Sequence, residues 1–205
     1  MKTMAAKAKV RRLPKQRRAH QTVEVILDAV VRVLKREGFH AITTNRVAEV
    51  AGVSIGSVYQ YFPDKSAIYA ALHQRHIEEI DRLFERKFVE HAASPLDDLV
   101  AAVVEAMIDA HTTDPELYEL LLTEVPHGAN GSKGFSTRLH DAFVLAISSA
   151  RPELRKRGDL EKVVFIVTNM IDALSHAAAL RRPSGLSLAE AKREATRAIQ
   201  AYLHA

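Results

Sequence analysis

Hydrophobic residues recur every three or four positions along almost the whole chain, which is the spacing of amphipathic helices. The first such stretch predicts a helix over about residues 20–37, whose apolar face consists of Val23, Ile26, Leu27, Val30, Val31 and Leu34. No stretch alternates apolar and polar residues as a strand does, and no segment repeats. The sequence therefore predicts an all-α fold.

Glycine and threonine mark the ends of the next segments. Gly38 is placed to end the first helix in a left-handed conformation. Thr43 and Thr44 are each suited to cap a short second helix over residues 45–51, and Gly52 breaks that helix.

A third short helix is predicted over residues 55–61, and a long fourth helix from Lys65 to about residue 92 begins after the stop formed by Pro63 and Asp64. In the remainder, Ser94 and Asp114 are each expected to cap a helix that starts after them, and Ser187 and Glu190 are expected to form a capping box at the last helix. A loop is predicted over 126–134, and further helices are predicted over 135–150 and 159–181.

The segment around residue 50 has the spacing of a helix-turn-helix. The small side chain of Ala48 lets the following helix cross closely, and Gly52 supplies the left-handed backbone of the turn. Val47, Val53 and Val58 are expected to fill the angle between the two helices. An αα-corner packed inside an ordinary helical domain has the same pattern, so the spacing alone leaves both readings open.

If Val58 points inward, the third helix presents a slim polar face to the outside, made of Ser54, Ile55, Gly56, Ser57, Tyr59 and Gln60. Such a face suits entry into a DNA major groove, where Gly56 and Ser57 permit close approach. Ser57 or Gln60 can bond base edges, and an exposed Ile55 can meet a thymine methyl group.

Phosphate contacts are expected beside this face. Tyr59 and Tyr61 can donate their hydroxyl protons to phosphate oxygens. Helix N-termini attract phosphate through backbone N–H groups and the helix dipole, and four polar side chains lie at such termini: Thr43, Thr44, Asn45 and Lys65.

The charge distribution changes this picture. Residues 1–72 contain 13 Lys and Arg against 5 Asp and Glu, whereas residues 73–205 contain 16 against 20. A basic front on an acidic remainder indicates that only the front meets a polyanion. Residues 1–19 hold eight Lys and Arg without periodicity and are predicted to form a flexible basic arm, which either contacts DNA or serves as a solubilising tail.

Composition excludes several classes of protein. The chain has no cysteine, no glycine-rich phosphate loop and no nucleophile elbow, so we predict neither an enzyme nor a cofactor. His73 and His76 lie one helical turn apart, but no further ligand can be placed beside them, and we predict no metal site. The basic N-terminus lacks the apolar stretch of a signal peptide, and Val163–Leu180 contains polar residues, so we expect a cytoplasmic protein that spans no membrane.

Residues Gly38–Leu72 resemble the N-terminal domain of the tetracycline-repressor (TetR) family of transcriptional regulators. The resemblance lies in Gly38-Phe39, the threonine pair, Val47-Ala48, Ala51-Gly52-Val53-Ser54, Gly56, Tyr59, Tyr61-Phe62 and Lys65, and it extends upstream to Ile26-Leu27-Asp28-Ala29. Arg46 departs from the family pattern, which has an acidic residue there, and this departure puts only the capping box in doubt.

The resemblance implies a three-helix DNA-binding domain, here residues 20–65, and a helical ligand-binding and dimerisation domain, here residues 66–205. It implies DNA contacts from the start of the second helix, from the third helix and from the lysine that opens the fourth. These positions are Thr43, Thr44, Asn45, Ile55, Gly56, Ser57, Tyr59, Gln60, Tyr61 and Lys65.

Two features of the C-terminal part point to partners. The helix over Val163–Leu180 is apolar on nearly all sides, and the last helix carries an apolar stripe, so two copies are expected to form a four-helix interface, with a single large monomeric core as the alternative. Asn169, Asp172 and His176 lie on one face of the former helix. They are either the polar groups of a ligand pocket or buried hydrogen-bonding groups at the dimer interface.

The leading hypothesis is therefore a dimeric repressor that binds a palindromic operator and is released by a small-molecule effector. A helical carrier or enzyme with an incidental basic end, and a DNA-binding protein without sequence preference, are the alternatives. The sequence identifies neither the effector nor the operator.

Overall fold

The computed structural model describes residues 13–124, 137–153 and 159–205, and every regular element in those ranges is helical. The chain divides into two compact units, Met1–Ala71 and Leu72–Ala205. The boundary falls within a helix that begins in the first unit and ends in the second.

The first unit contains α1 (Leu13–Glu37), a 3-10 turn (Phe39–Ala41), α2 (Thr44–Ala51), α3 (Ile55–Tyr61) and the start of α4 (Lys65–Glu90). In its core α1 packs against α2, and α2 packs against α3, because one face of each helix is apolar. The fully or almost fully buried side chains of this core are Ile26, Leu27, Val30, Val33, Ile42, Val47, Ala48, Val58, Phe62 and Ile68.

Helix α1 begins earlier than the sequence predicted. Residues 13–19, assigned to the flexible arm, are helical, whereas residues 1–12 of that arm lie outside the described residues. Lys15, Gln16 and Arg17 are good helix formers although they supply no apolar periodicity. Pro14 stands in the first turn, where its missing N–H breaks no helical hydrogen bond.

The second unit contains the rest of α4 together with α5 (Leu96–Thr112), α6 (Pro115–Glu124), α7 (Thr137–Ala150), α8 (Leu160–Leu180) and α9 (Leu188–His204). Helix α8 is central, since it packs against α5, α6, α7 and α9, and α9 also packs against α5. The core residues that are at most 1% exposed include Phe84, Val103, Ile108, Phe143, Ile147, Val164, Val167, Ile171 and Ile199.

Helix α8 is also long and apolar enough, by length and composition, to suit a membrane span. Core helices of soluble proteins meet the same test. Here Val164, Val167 and Ile171 on one face of α8 are completely buried against the other helices of the unit, which is the arrangement of a core helix.

One predicted helix cap is confirmed and another is wrong. Ser187 and Glu190 form the predicted capping box at α9. The prediction that Ser94 caps α5 is wrong, because Pro95 takes the extended N-cap position with ψ 149° and leaves Ser94 one residue too early. The predicted loop over 126–134 lies outside the described residues.

Candidate nucleic-acid interface

A glycine fixes the bend between α2 and α3. Gly52 has φ 68° and ψ 29°, the left-handed region, and its N–H donates to the carbonyl oxygens of Ala48 and Glu49. The N–H of Val53 also donates to Ala48 O at 3.1 Å. A Cβ at residue 52 would meet no atom within 4 Å, so the requirement for glycine comes from the backbone angle and not from crowding.

Each of the two helices has a side-chain cap. The Oγ1 of Thr43 accepts a hydrogen bond from the N–H of Arg46 at 3.1 Å, and the Oγ of Ser54 accepts one from the N–H of Ser57 at 3.0 Å. The hydroxyl oxygens of Ser54 and Ser57 also lie 2.8 Å apart. The predicted contact of Ser57 with a base edge therefore requires its hydroxyl to leave or share this bond.

The outward face of α3 has the predicted orientation. Val58 and Phe62 are buried against the core, while Ile55 is 40% exposed and Tyr59 is 51% exposed. Of the other proposed DNA contacts, Thr43, Asn45, Gly56 and Gln60 are exposed, and Thr44, Ser57, Tyr61 and Lys65 are half-buried. All ten residues lie in the first unit, around the start of α2, the exposed side of α3 and the start of α4.

One contact joins the two helices on this face. The Oη of Tyr59 on α3 lies 3.2 Å from the Oγ1 of Thr44, the first residue of α2. A phosphate oxygen that reaches the N-terminus of α2 can therefore accept from both hydroxyl groups at once.

Lys65 is held by aromatic rings. Its Nζ lies 5.2 Å from the ring centroid of Phe39 and 5.6 Å from that of Tyr69, which is cation–π geometry. Asp64 precedes it and accepts a hydrogen bond from the N–H of Ala67 at 2.8 Å, which caps α4. The ammonium group thus lies at a helix N-terminus, and the two contacts described here are with aromatic rings and not with a carboxylate.

The unusual Arg46 forms an ion pair that the sequence analysis missed. Its Nε and Nη2 donate to the carboxylate of Glu37 at 2.7–3.1 Å, and its Nη1 lies 2.6 Å from the carboxylate of Glu49. The hydrogen bond from Arg46 lowers the pKa of Glu37. The pair joins the end of α1 to α2. The Thr43 cap is formed through the backbone N–H of Arg46, but the capping box is incomplete because an arginine side chain has no acceptor for the N–H of Thr43.

Two of the three candidate ligand residues of the second unit contact each other, and the third makes a separate hydrogen bond. Asn169 is exposed, and its Nδ2 donates to the backbone oxygen of Phe165 at 2.7 Å. The carboxylate of Asp172 lies 3.3 Å from the Nε2 of His176. The His176 ring points to a different group of residues, with its centroid 5.3 Å from that of His111 and 5.3 Å from that of Tyr118.

These rings belong to a cluster of four, defined here as the ring cluster: His76 of α4, His111 of α5, Tyr118 of α6 and His176 of α8. The centroid of His111 lies 4.1 Å from that of Tyr118 and 5.5 Å from that of His76. Burial lowers the pKa of His76 to about 4 and that of His111 to about 3, and burial also raises the pKa of Tyr118. The described residues contain no group of three side chains arranged to bind a metal ion.

The comparisons with known proteins concern both units. Residues 26–72 match the profile described as bacterial regulatory proteins, tetR family, and residues 95–203 match the profile described as tetracyclin repressor-like, C-terminal domain.

Curated relatives and solved structures agree with these matches. The HTH-type transcriptional regulator AcrR of Shigella flexneri is 28% identical over 93 residues, 44% of this chain and 43% of its own length. The HTH-type transcriptional repressor KstR of Rhodococcus jostii (strain RHA1) is 38% identical over 140 residues, 68% of this chain and 56% of its own. These two alignments thus span about half the length of each relative. A TetR-family transcriptional regulator from Streptomyces coelicolor has the same fold, with a TM-score of 0.63 at 23% identity over 91% of this chain and 97% of that one.

Proposed function

The chain belongs to the tetR family of bacterial regulatory proteins, and from this premise we propose that it is a transcriptional repressor that binds a palindromic operator as a homodimer and is released by a small-molecule effector. Proteins of this family are DNA-binding transcriptional regulators and not enzymes. We place the protein in the cytoplasm, with double-stranded DNA, a second copy of itself and an effector as its partners.

The observation that carries the proposal is the exposed leading edge of α3. Its core contacts come from Val58 and Phe62 on one side, so Ile55, Gly56 and Tyr59 remain available to a major groove on the other. Gln60 is suited to adenine and Ile55 to a thymine methyl group.

The phosphate contacts are proposed for the residues that flank α3. Thr43, Thr44 and Asn45 lie at the N-terminus of α2, and Lys65 lies at that of α4. These contacts fix the register of the protein on DNA without reading the bases. We propose residues 20–65 as the DNA-binding domain and residues 66–205 as the regulatory domain, with residues 1–19 as a basic extension.

The dimer interface is proposed on the outward faces of α8 and α9. Phe165 is 63% exposed, and Ile166 and Leu180 on the same helix are each 37% exposed. On α9, the small residues Ala198 and Ala201 are exposed in the same way. An apolar face of this kind favours a four-helix interface between two copies.

Release by an effector requires a coupling between the two domains. Half-sites on DNA lie about 34 Å apart, so a small change in the separation of the two recognition helices disengages one of them. Effector and operator then weaken each other's binding reciprocally, typically by about 1–3 kcal/mol.

A mobility-shift assay with DNA fragments from around the protein's own gene tests the proposal. We expect one fragment to form a complex that resists salt and competitor DNA, and Gln60→Ala is expected to relax its sequence preference. A protein that binds by charge alone would bind all fragments equally, and a carrier would bind none, and either result contradicts the proposal.

A further inference from the structure

The ring cluster contains polar atoms that are buried without a hydrogen-bond partner. Within the described residues these are the Oη of Tyr118 and the Nε2 of His76. The ring of His111 hydrogen-bonds the backbone of Met107, and outside the ring cluster the Oγ of Ser175, next to His176 on α8, also lacks a partner. Tyr118 is 4% exposed, His111 is 3% exposed and Ser175 is completely buried. The four residues come from four different helices.

Such atoms lower the free energy of unfolding unless they hydrogen-bond to a ligand. Each buried donor or acceptor without a partner destabilises the fold, because it has lost its hydrogen bonds to water. Native proteins contain few of them, and those that occur commonly mark functional sites. Here the unpartnered atoms of Tyr118 and His76 belong to rings whose centroids are 5.8 Å apart, and three rings lie within 6 Å of Tyr118.

The surroundings of these atoms are apolar. Met107, Leu121 and Ile171 lie one helical turn from His111, Tyr118 and Ser175 respectively, and all three are buried. Ligand sites are typically built in this way, with a few convergent polar groups on an apolar lining.

The charges nearby restrict what such a site accepts. Both His76 and His111 are neutral at pH 7, because burial holds the pKa of each well below 6.5. The carboxylate of Asp172, which pairs with His176, also acts on Tyr118 and His111. An anionic ligand would therefore meet the carboxylate of Asp172, and a cationic ligand would lose its hydration among the neutral rings of His76 and His111.

We propose that the ring cluster is the recognition site for an uncharged cyclic organic ligand that carries a hydroxyl or carbonyl group, which exchanges hydrogen bonds with Tyr118 and His76. This inference rests on the proposed function, since the ligand would be the effector. It differs from the prediction based on sequence, because Asn169 takes no part and residues of α4, α5 and α6 do.

Four probes of similar size and different charge test the class of ligand. Phenol and cyclohexanone are neutral at pH 7.5, benzoate is anionic and benzylamine is cationic. Each is titrated into the full chain without DNA while the imidazole resonances are followed by NMR, with His76 and His111 assigned from His→Gln variants. We expect the two neutral probes to shift the resonances of His76 and His111 in a saturable way and to leave those of His140 unchanged.

Two variants identify the bonding group. Tyr118→Phe removes only the hydroxyl and is expected to weaken phenol binding about two- to tenfold. It is also expected to leave the Tm of the free protein equal or higher, because it removes a buried hydroxyl that lacks a partner. The control, His140→Gln on α7, removes a histidine that pairs with Glu161 at the surface and is expected to leave phenol binding unchanged.

Three results would overturn the inference. Saturable binding of benzoate or benzylamine in preference to the neutral probes contradicts the ligand class, and no saturable shift with any probe contradicts the site. A lower Tm for Tyr118→Phe shows that the hydroxyl is bonded inside the free protein. Because none of these measurements contains DNA, their failure is distinct from a failure to bind an operator.

Discussion

The hydroxyl oxygen of Tyr59 lies 3.2 Å from that of Thr44, so the exposed side of α3 is tied to the first residue of α2. The two residues are separated by 15 positions and both lie among the proposed DNA contacts. The surface they form is therefore one unit, in which the hydroxyl proposed to contact a phosphate is also positioned by its neighbour.

The first prediction concerns this pair. Tyr59→Phe is expected to weaken operator binding by about 1–2 kcal/mol, because a charge-assisted hydrogen bond to phosphate is lost. Its effect on the free energy of unfolding is expected to be within about 0.5 kcal/mol, since the site is exposed. Mobility-shift titrations and urea denaturation measure the two quantities.

A double-mutant cycle with Thr44→Val separates the contributions. If both hydroxyls act on one phosphate, the two losses in binding are less than additive. Full additivity would show that Tyr59 and Thr44 act independently.

The second prediction is that Gly56→Ala has opposite effects on folding and on DNA binding. A Cβ at this position would meet only Ser54 Oγ at 3.8 Å, and alanine is favoured over glycine in a helix by about 1 kcal/mol. We expect a stability that is unchanged or higher, together with weaker operator binding, because the methyl group stands on the edge that enters the groove.

Gly52→Ala is the matched comparison. Its φ of 68° imposes a strain of about 1–2 kcal/mol on any residue with a Cβ. We expect it to lower the Tm, so a Gly56→Ala variant that loses stability to the same degree would contradict the placement of residue 56 on the open face.

The third prediction is that the protein loses stability as the pH falls. Because the pKa of His111 is about 3 in the folded protein and about 6.5 in an unfolded chain, the unfolded state binds a proton first as the pH falls. The stability associated with a neutral His111 is complete above about pH 6.5 and is lost as the pH falls from there toward 3, by up to about 1.4 kcal/mol per pH unit.

Urea denaturation at pH 7.5, 6 and 5 measures this slope. His111→Gln is expected to flatten it, and His140→Gln is expected to leave it unchanged. His76, with a folded pKa of about 4, contributes to the pH dependence of stability in the same direction. A slope in the His111→Gln variant that is as steep as in the unaltered protein would show that His111 does not contribute to it.

The fourth prediction concerns the dimer. Phe165 is 63% exposed on α8, and Phe165→Glu is expected to convert the dimer to a monomer, because it places a charge in an apolar interface. Light scattering coupled to size exclusion measures the mass. Leu145→Glu on α7, at a side chain that is 68% exposed, is the control and is expected to remain dimeric.

The DNA-binding unit could be predicted from sequence because its signals are local. The bounds of α3, Ile55–Tyr61, follow from Ser54, Gly52 and the stop after Tyr61, all within a few residues. By contrast, the first turns of α1 contain helix formers without an apolar face, so its start at Leu13 left no periodic signal.

The ring cluster could not be predicted in this way. His76, His111, Tyr118 and His176 come together only through the packing of four helices, and no spacing along the chain relates them. The ion pair of Glu37 and Arg46 was hidden for the same reason, because it crosses the turn between α1 and α2.

The separation of the buried and exposed side chains of α3 has a practical consequence. Val58 and Phe62 hold the helix in place, while Ile55, Tyr59 and Gln60 are exposed and lie outside the buried core. Libraries randomised at residues 55, 59 and 60 should therefore remain folded, and selection from them can yield orthogonal variants that bind different operator sequences while the rest of the protein is unchanged.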